Sequence, residues 1–220
     1  MEFFSVVIGA VISLLITYFI IRTAVTEGIN RSVIGQRLAQ QPTQEPQKVV
    51  QNFSMMKGGR VVTYQKATEA RYEEILRLLK SCAADLKEKG IKQWGYLLSG
   101  GEDAEVRKDI VKGHTYGIFE KDEVVGTFTI RKGPNSWDEH VWQDRAEKDA
   151  LYLHRLAVTP VFRQEGIGSA ALDWISENFQ GEVLMLDCVE SNEELSHFYS
   201  ERGFESAGTY DGHHRYWKRL

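Results

Sequence analysis

The chain has few cysteines and few prolines: its 220 residues include 2 of the first and 4 of the second. Two cysteines cannot provide the dense cross-links of a small secreted domain, and Cys82 and Cys188 lack the spacing of a zinc site. We therefore expect both thiols to be reduced residues of the core. His213 and His214 are adjacent on a strand-like segment and would point to opposite faces, so the sequence indicates no metal site.

An excess of positive charge is also missing, because 27 Lys and Arg residues stand against 31 Asp and Glu residues, for a net charge of −4. The first 58 residues carry +2, which leaves −6 for the remainder. A domain this acidic is a poor partner for the phosphate backbone of nucleic acid. We therefore expect no nucleic-acid binding and a mild preference for cationic substrates.

One long stretch has no charged residue at all: Phe3 to Ile21, which Arg22 follows. A helix of this length spans roughly 28 Å, about one bilayer core, and its large apolar residues favour insertion by about 4 to 8 kcal/mol. The alternatives are a cleaved signal peptide and a buried core helix. A signal peptide needs a basic start and a small-residue cleavage site, which Glu2 and Arg22 do not provide. The sequence predicts a single transmembrane helix over residues 1–22.

The charges that flank this segment predict its orientation. Arg22, Arg31 and Arg37 follow the apolar run and no Lys or Arg precedes it, so the remainder of the chain should be cytosolic. Residues 3–21 would contact the membrane. Small residues recur on one face of this helix and would permit a homodimer; they are Ser5, Gly9, Ser13 and Thr17.

A polar linker is predicted over residues 23–58, which are rich in glutamine and contain Pro42 and Pro46. The remaining residues, 59–220, are enough for one ordinary core. Their hydrophobic pattern alternates between strand and helix periods, and the stretch from 132 to 148 is predicted as a long acidic loop. The predicted strands are 61–65, 114–120, 124–131, 149–158, 183–188, 204–210 and 213–218, and the predicted helices are 69–89, 104–111, one from 166, and 192–202. This pattern predicts an α+β layer fold.

A glycine pair opens one of these helices. The strand that ends at Val158 leads through a loop to Gly166 and Gly168, whose backbone N–H groups and helix dipole would bind phosphate oxygens. A dinucleotide fingerprint is one interpretation, with Ala171 as its third small residue and Asp187 as the acid that binds ribose. Against it, 7 residues separate Val158 from Gly166, and too little chain follows Asp187 to complete a doubly wound domain.

The same segment resembles the signature of the GNAT family of CoA-dependent N-acyltransferases. Residues 163–168 are similar to its pyrophosphate loop, and residues 153–158 to its central strand. The family's next block is matched by Asp187, Asn192, Leu195, Phe198, Tyr199, Gly203 and Phe204. The resemblance covers residues 60–220. It implies a mixed, mostly antiparallel central sheet flanked by helices, with acetyl-CoA as donor and a primary amine of a small molecule or protein as acceptor.

The resemblance also implies roles for individual residues. Tyr199 would protonate the departing thiolate, and the backbone of Leu156 and Val158 would pair with the pantetheine arm. The backbone N–H groups of 164–169 would bind the pyrophosphate, and Asn192 would touch the cofactor. The cofactor-binding residues are then Leu156, Val158, Arg163, Gln164, Glu165, Gly166, Ile167, Gly168, Ser169 and Asn192.

The local sequence bears on two of these roles, the cofactor contact of Asn192 and the base. Ser191 and Glu194 fit a capping box, so Ser191 is expected to cap the helix and leave Asn192 free. The attacking amine must lose a proton, and His154 or Glu120 is the candidate base. The sequence thus predicts a membrane-tethered, cytosol-facing N-acetyltransferase, and the alternative is a non-catalytic CoA-binding module. Arg155 is expected to be a salt-bridged structural residue.

Overall fold

A computed structural model of the chain describes residues 52–55 and 60–220. The predicted transmembrane helix over 1–22 and most of the predicted linker over 23–58 lie outside this range, so both stay predictions. No helix within the described residues has the length and apolar character needed to cross a bilayer.

Eight strands of the described chain form one sheet. They are β1 (Phe53–Met55), β2 (Val61–Lys66), β3 (Thr115–Glu120), β4 (Glu123–Lys132), β5 (Leu151–Val158), β6 (Val183–Val189), β7 (Glu205–Tyr210) and β8 (His213–Arg219). Their order across the sheet is β1-β2-β3-β4-β5-β6-β8-β7, and only β5 and β6 pair in parallel. The predicted mixed, mostly antiparallel sheet is confirmed. Strand β1 lies in the range that the sequence assigned to the linker.

Helices cover both faces of this sheet. They are α1 (Tyr72–Glu88), α2 (Gly95–Leu98), α3 (Asp103–Val111), α4 (Ser136–Trp142), α5 (Ile167–Asn178) and α6 (Glu193–Glu201). The apolar stripe of α1, which includes Ile75 and Leu79, packs with α3 on one face. Helix α5 packs on the opposite face, where Ile175 and Trp174 meet alternate side chains of the strands. Both Cys82 and Cys188 are free and buried, as predicted.

Helix α4 corrects the predicted acidic loop. Asn135 and Asp138 form a capping box in which each side chain accepts a hydrogen bond from the other residue's backbone N–H, at 2.8 and 2.9 Å. Val141 and Trp142 are buried and pack against Tyr152. The helix has 7 residues, too few for a clear period, so its acidic residues resembled those of a solvated loop.

A buried ion group ties α3 to β4 and β5. Asp109 accepts hydrogen bonds from Arg131 Nε at 2.8 Å and from Arg155 Nη1 at 2.9 Å. Burial raises the pKa of Asp109, but the hydrogen bonds and charges of Arg131 and Arg155 outweigh burial and leave this pKa below its ordinary value. The prediction that Arg155 is salt-bridged is therefore confirmed.

Strand β5 is irregular beside this ion group. Its register against β4 shifts between Thr127 and Thr129, and Arg155 has a φ of 53°, so β5 contains a bulge. The parallel pairing of β5 with β6 stops after Leu151 and Tyr152. Beyond that point the backbones of β5 and β6 no longer form hydrogen bonds with each other.

Candidate active site

A cavity of about 1010 Å³ lies where β5 and β6 separate. Its walls come from the ends of these strands, the loop before α5, helix α6, and the segment between α1 and α3. Residues 153–158 of β5 and 187–189 of β6 both line it. The parallel pairing that ends early therefore creates the space, and the bulge in β5 shapes one wall.

The start of α5 forms one end of this cavity. Gly166 is the N-cap with a φ of 86°, and Gln164 has a φ of 63°, so the chain turns sharply before the helix begins. In the described structure, the backbone N–H groups of residues 164–169 donate to no backbone carbonyl. A Cβ on Gly168 would meet only Phe198 Cζ, at 3.6 Å, so the space above Gly168 is open. The site is suited to an anion.

Basic side chains surround this end of the cavity, and the lining includes Lys89, Lys92, Arg163 and Arg202. Arg163 contacts Asp85, which also lies 3.2 Å from Lys89 Nζ. Arg202 contacts the Ser169 hydroxyl, and its buried Nε has no hydrogen-bond partner within the described structure.

Glu165 turns its side chain away from the cavity. Its carboxylate contacts Arg60, whose Nε also lies 2.7 Å from Glu120 Oε1. Neither glutamate lines the cavity. Glu120 was one of the two candidate bases, and the structure corrects this prediction because the carboxylate is paired with Arg60 outside the site.

Leu156 and Val158 line the cavity from β5 and are half-buried. The Val158 carbonyl accepts a hydrogen bond from the Cys82 thiol at 3.3 Å. Ile167 is buried in the core beneath the glycine loop, so only its backbone is available to a ligand.

Asn192 does not have the free side chain that the sequence predicted. It is itself the N-cap of α6, since its Oδ1 accepts a hydrogen bond from Leu195 N at 3.1 Å. Its Nδ2 donates a hydrogen bond to Gln93 Oε1 at 2.9 Å, and Gln93 lies in the segment before α2. The prediction that Ser191 caps the helix is wrong, because an asparagine one position later makes the same bond. Asn192 is buried and still lines the cavity.

Tyr199 lies on α6 in an aromatic group with Phe198, Phe204 and Tyr216, whose ring centroids lie 5.4, 5.5 and 5.9 Å away. The residue is 5% exposed and lines the cavity. Burial raises its pKa well above the ordinary value of a tyrosine, with smaller contributions from Cys188 and Asp187. The hydroxyl is therefore neutral, and it has no hydrogen-bond partner in the described part of the chain.

His154 lies on β5, where it lines the cavity beside Asp138 of α4. Its Nε2 lies 3.2 Å from Asp138 Oδ2 without the direction of a hydrogen bond, and this nitrogen is buried. Three neighbours also line the cavity, Trp137, Asp187 and His213; the sequence assigned Trp137 to the predicted acidic loop and did not place Asp187 or His213 on the acceptor side. They come from three separate elements, α4, β6 and β8, so no local spacing could have grouped them.

Comparisons with known proteins agree with this geometry. A family model described as Acetyltransferase (GNAT) family matches residues 77–204. The uncharacterised N-acetyltransferase YesJ of Bacillus subtilis (strain 168) is 33% identical over 153 residues, which are 67% of this chain and 84% of YesJ. A GNAT-family acetyltransferase structure from Listeria monocytogenes is 29% identical with a TM-score of 0.67, covering 77% of this chain and 100% of that one. A PaiA N-acetyltransferase from Thermoplasma acidophilum, solved with coenzyme A, shares the fold at 15% identity and a TM-score of 0.56, covering 72% and 99% of the two chains.

Proposed function

Because the chain belongs to the GNAT family of acetyltransferases, we propose that it transfers an acetyl group from acetyl-CoA directly to a primary amine. One observation carries this proposal: the backbone N–H groups at the start of α5 have no backbone acceptor in the described structure, and they lie at a cavity that Tyr199 and His154 also line. The acceptor is a small molecule or a protein.

The residues at the start of α5 suit the diphosphate of coenzyme A. The N–H groups of 164–169 and the positive end of the α5 dipole would hold its oxygens, and Arg202 adds positive charge nearby. Leu156 and Val158 would flank the pantetheine arm where β5 has lost its partner. A protein of the same fold, the PaiA N-acetyltransferase, is known with coenzyme A.

Acetyl-CoA supplies the acetyl group as a thioester, and this chain supplies the proton transfers. His154 accepts a proton from the ammonium form of the acceptor, since an amine with a reference pKa near 10.4 is almost entirely protonated at neutral pH. The neutral nitrogen then attacks the thioester carbonyl carbon, so that a C–N bond forms as the C–S bond breaks. Tyr199 donates its proton to the departing sulfur and regains one from the attacking nitrogen.

Direct transfer is favoured over an acyl-enzyme. Cys188 lies near Tyr199 and lines the cavity, and burial raises the pKa of its thiol to about 11. Its thiolate fraction at pH 7 is therefore on the order of one part in ten thousand. Within the part of the chain that the structure describes, its Sγ has one side-chain partner at hydrogen-bond distance, the Ser196 hydroxyl at 3.8 Å, which is no base.

The proposed activity predicts thiol release that depends on an amine. The purified full-length chain is mixed with acetyl-CoA and a panel of n-butylamine, benzylamine, 1,4-diaminobutane and a lysine peptide, while free thiol is followed with a chromogenic disulfide. We expect release above the background of hydrolysis with at least one amine, together with the acetylated amine by mass spectrometry.

The control for direct transfer is the Cys188→Ala variant, which should keep the turnover of the wild-type chain to within about threefold, since its thiol has no chemical role. An acetylated Cys188 in the absence of amine would instead establish a covalent route. Binding of acetyl-CoA without turnover of any amine would support the alternative function, a non-catalytic CoA-binding module.

We also propose that residues 1–22 tether this domain to a membrane, with residues 59–220 on the cytosolic side. The support is the uncharged run Phe3 to Ile21 and the arginines after it. Such a tether would confine acetylation to acceptors near the membrane surface.

The tether predicts that the full-length chain sediments with membranes and resists extraction by high salt, with its C-terminal end accessible to protease only after the cytosolic side is exposed. The matched control is the double variant Ile12→Lys, Leu15→Lys. Its two central lysines cost about 5 to 7 kcal/mol, which offsets the favourable insertion energy, so this variant should no longer sediment with membranes. Recovery of the wild-type chain in the soluble fraction would contradict the proposal.

A further inference from the structure

One carboxylate inside the cavity has no Lys or Arg partner among the described residues. Of the carboxylates that line it, Glu102 and Glu105 contact Arg155, and Glu194 is exposed on the first turn of α6. Asp187 lies at the end of β6, where no Lys, Arg or His nitrogen of the described residues comes within 4.0 Å of it. Burial raises the pKa of Asp187, and the charges of His154 and His213 offset this only in part, so a cation from outside the chain would stabilise the ionised carboxylate.

Two aromatic side chains stand beside Asp187. The Trp137 indole N–H donates a hydrogen bond to Asp187 Oδ1 at 3.2 Å, which orients the carboxylate. The Trp137 ring also meets the His213 ring edge-on, with centroids 5.0 Å apart. All three line the cavity. A carboxylate held beside aromatic rings is a combination that binds an ammonium group, chiefly through charge.

His154 completes the same end of the cavity. Its Nε2 is buried without a hydrogen-bond partner in the described structure, and the Asp138 carboxylate lies 3.2 Å from it. Asp138 is held in place by the capping box of α4 and is 1% exposed. The Asp138 carboxylate therefore lies at a fixed position beside the His154 ring.

The charges of the cavity are divided between its two ends. Arg163 and Arg202 lie beside the N-terminus of α5, where an anion would bind, whereas Asp187 and His154 lie toward α4. A donor rich in phosphate and a cationic acceptor would therefore be drawn to different ends of the cavity and would meet between them.

We propose that Asp187, oriented by Trp137, is the residue that binds the ammonium group of the acceptor and makes the enzyme selective for cationic amines. This inference rests on the proposed acetyl transfer and names the substrate class of that site. Asp187 holds R–NH3⁺ by charge, and one proton passes to His154, leaving the neutral amine. The second proton leaves the nitrogen as the C–N bond forms and replaces the one that Tyr199 gives to sulfur, and His154 returns its proton to solvent.

The test compares Asp187→Asn with Asp149→Asn in the full-length chain. Asp149 is exposed and lies outside the cavity lining, so its variant should behave as wild type. With the panel amine of highest kcat/KM, Asp187→Asn should raise KM for the amine at least tenfold and change the affinity for coenzyme A less than twofold. Trp137→Phe, which keeps a ring but removes the N–H donor, should raise KM about threefold. His154→Gln should instead lower kcat.

A second readout does not require turnover. In calorimetric titrations without acetyl-CoA, the same panel amine should bind the wild-type chain at least tenfold more tightly than the alcohol of the same carbon skeleton, and Asp187→Asn should abolish this preference. If the wild-type chain turns over the amine but Asp187→Asn keeps its KM and its preference, Asp187 is not the amine site. If no amine in the panel is turned over by the wild type, the proposed acetyl transfer itself fails.

Discussion

The Gly168→Asp variant should lose at least about 100-fold in affinity for coenzyme A while its fold is retained. A new carboxylate on the first turn of α5 would stand roughly 5 Å from a bound phosphate, and two such charges repel by about 3 kcal/mol at an effective dielectric constant of 20. It would also oppose the favourable end of the helix dipole for anions. Isothermal titration calorimetry with coenzyme A measures the change, and far-ultraviolet circular dichroism checks the fold.

Two further substitutions at the same position separate charge from size. A Cβ on Gly168 would lie 3.6 Å from Phe198 Cζ, an ordinary contact, so Gly168→Ala should fold normally. Gly168→Asn has the size of aspartate without its charge, so its affinity should lie between those of the alanine and aspartate variants. Wild-type affinity in Gly168→Asp would remove the start of α5 from the cofactor site.

The Tyr199→Phe variant should reduce turnover about 100-fold and leave the affinity for coenzyme A within about twofold. Burial holds the pKa of Tyr199 well above its ordinary value, so the hydroxyl carries its proton at every working pH and a lasting tyrosinate is costly. Donation to sulfur must therefore be matched by a proton from the attacking amine. Steady-state kinetics with the best amine of the panel measures kcat, and calorimetry measures binding.

Tyr216→Phe is the matched control for this variant. Tyr216 lies in the same aromatic group, with its ring centroid 5.9 Å from that of Tyr199, but it does not line the cavity. Loss of its hydroxyl should leave kcat unchanged to within about twofold. Equal turnover in Tyr199→Phe and wild type would exclude Tyr199 as the acid.

Local patterns in the sequence were sufficient to predict the elements and one end of the site. The two-residue gap between the predicted strands 204–210 and 213–218, the apolar stripe of α1 and the glycines before α5 each depend on neighbours a few residues away, so spacing alone reveals them. The short helix α4 was missed because its 7 residues are too few to show a helical period, so their acidic composition indicated a loop.

Asn192 illustrates how a correct motif still misleads about a side chain. The sequence predicted Ser191 as the cap of α6 and left Asn192 free, although both residue types satisfy the chemistry of an N-cap. Only the tertiary structure decides between them: Asn192 uses its carbonyl oxygen on Leu195 N and its amide on Gln93, 99 residues away along the chain. No local pattern contains the second contact, so the choice could not be predicted.

The α+β fold, the family resemblance and the anion-binding glycines before α5 could be predicted from the residues alone, since each depends on short-range spacing. The tertiary structure alone decided where β5 and β6 part, and it brought His154, Asp187 and Trp137 together from β5, β6 and α4. Contacts between distant elements depend on the packing of the whole sheet, which no window of the sequence describes.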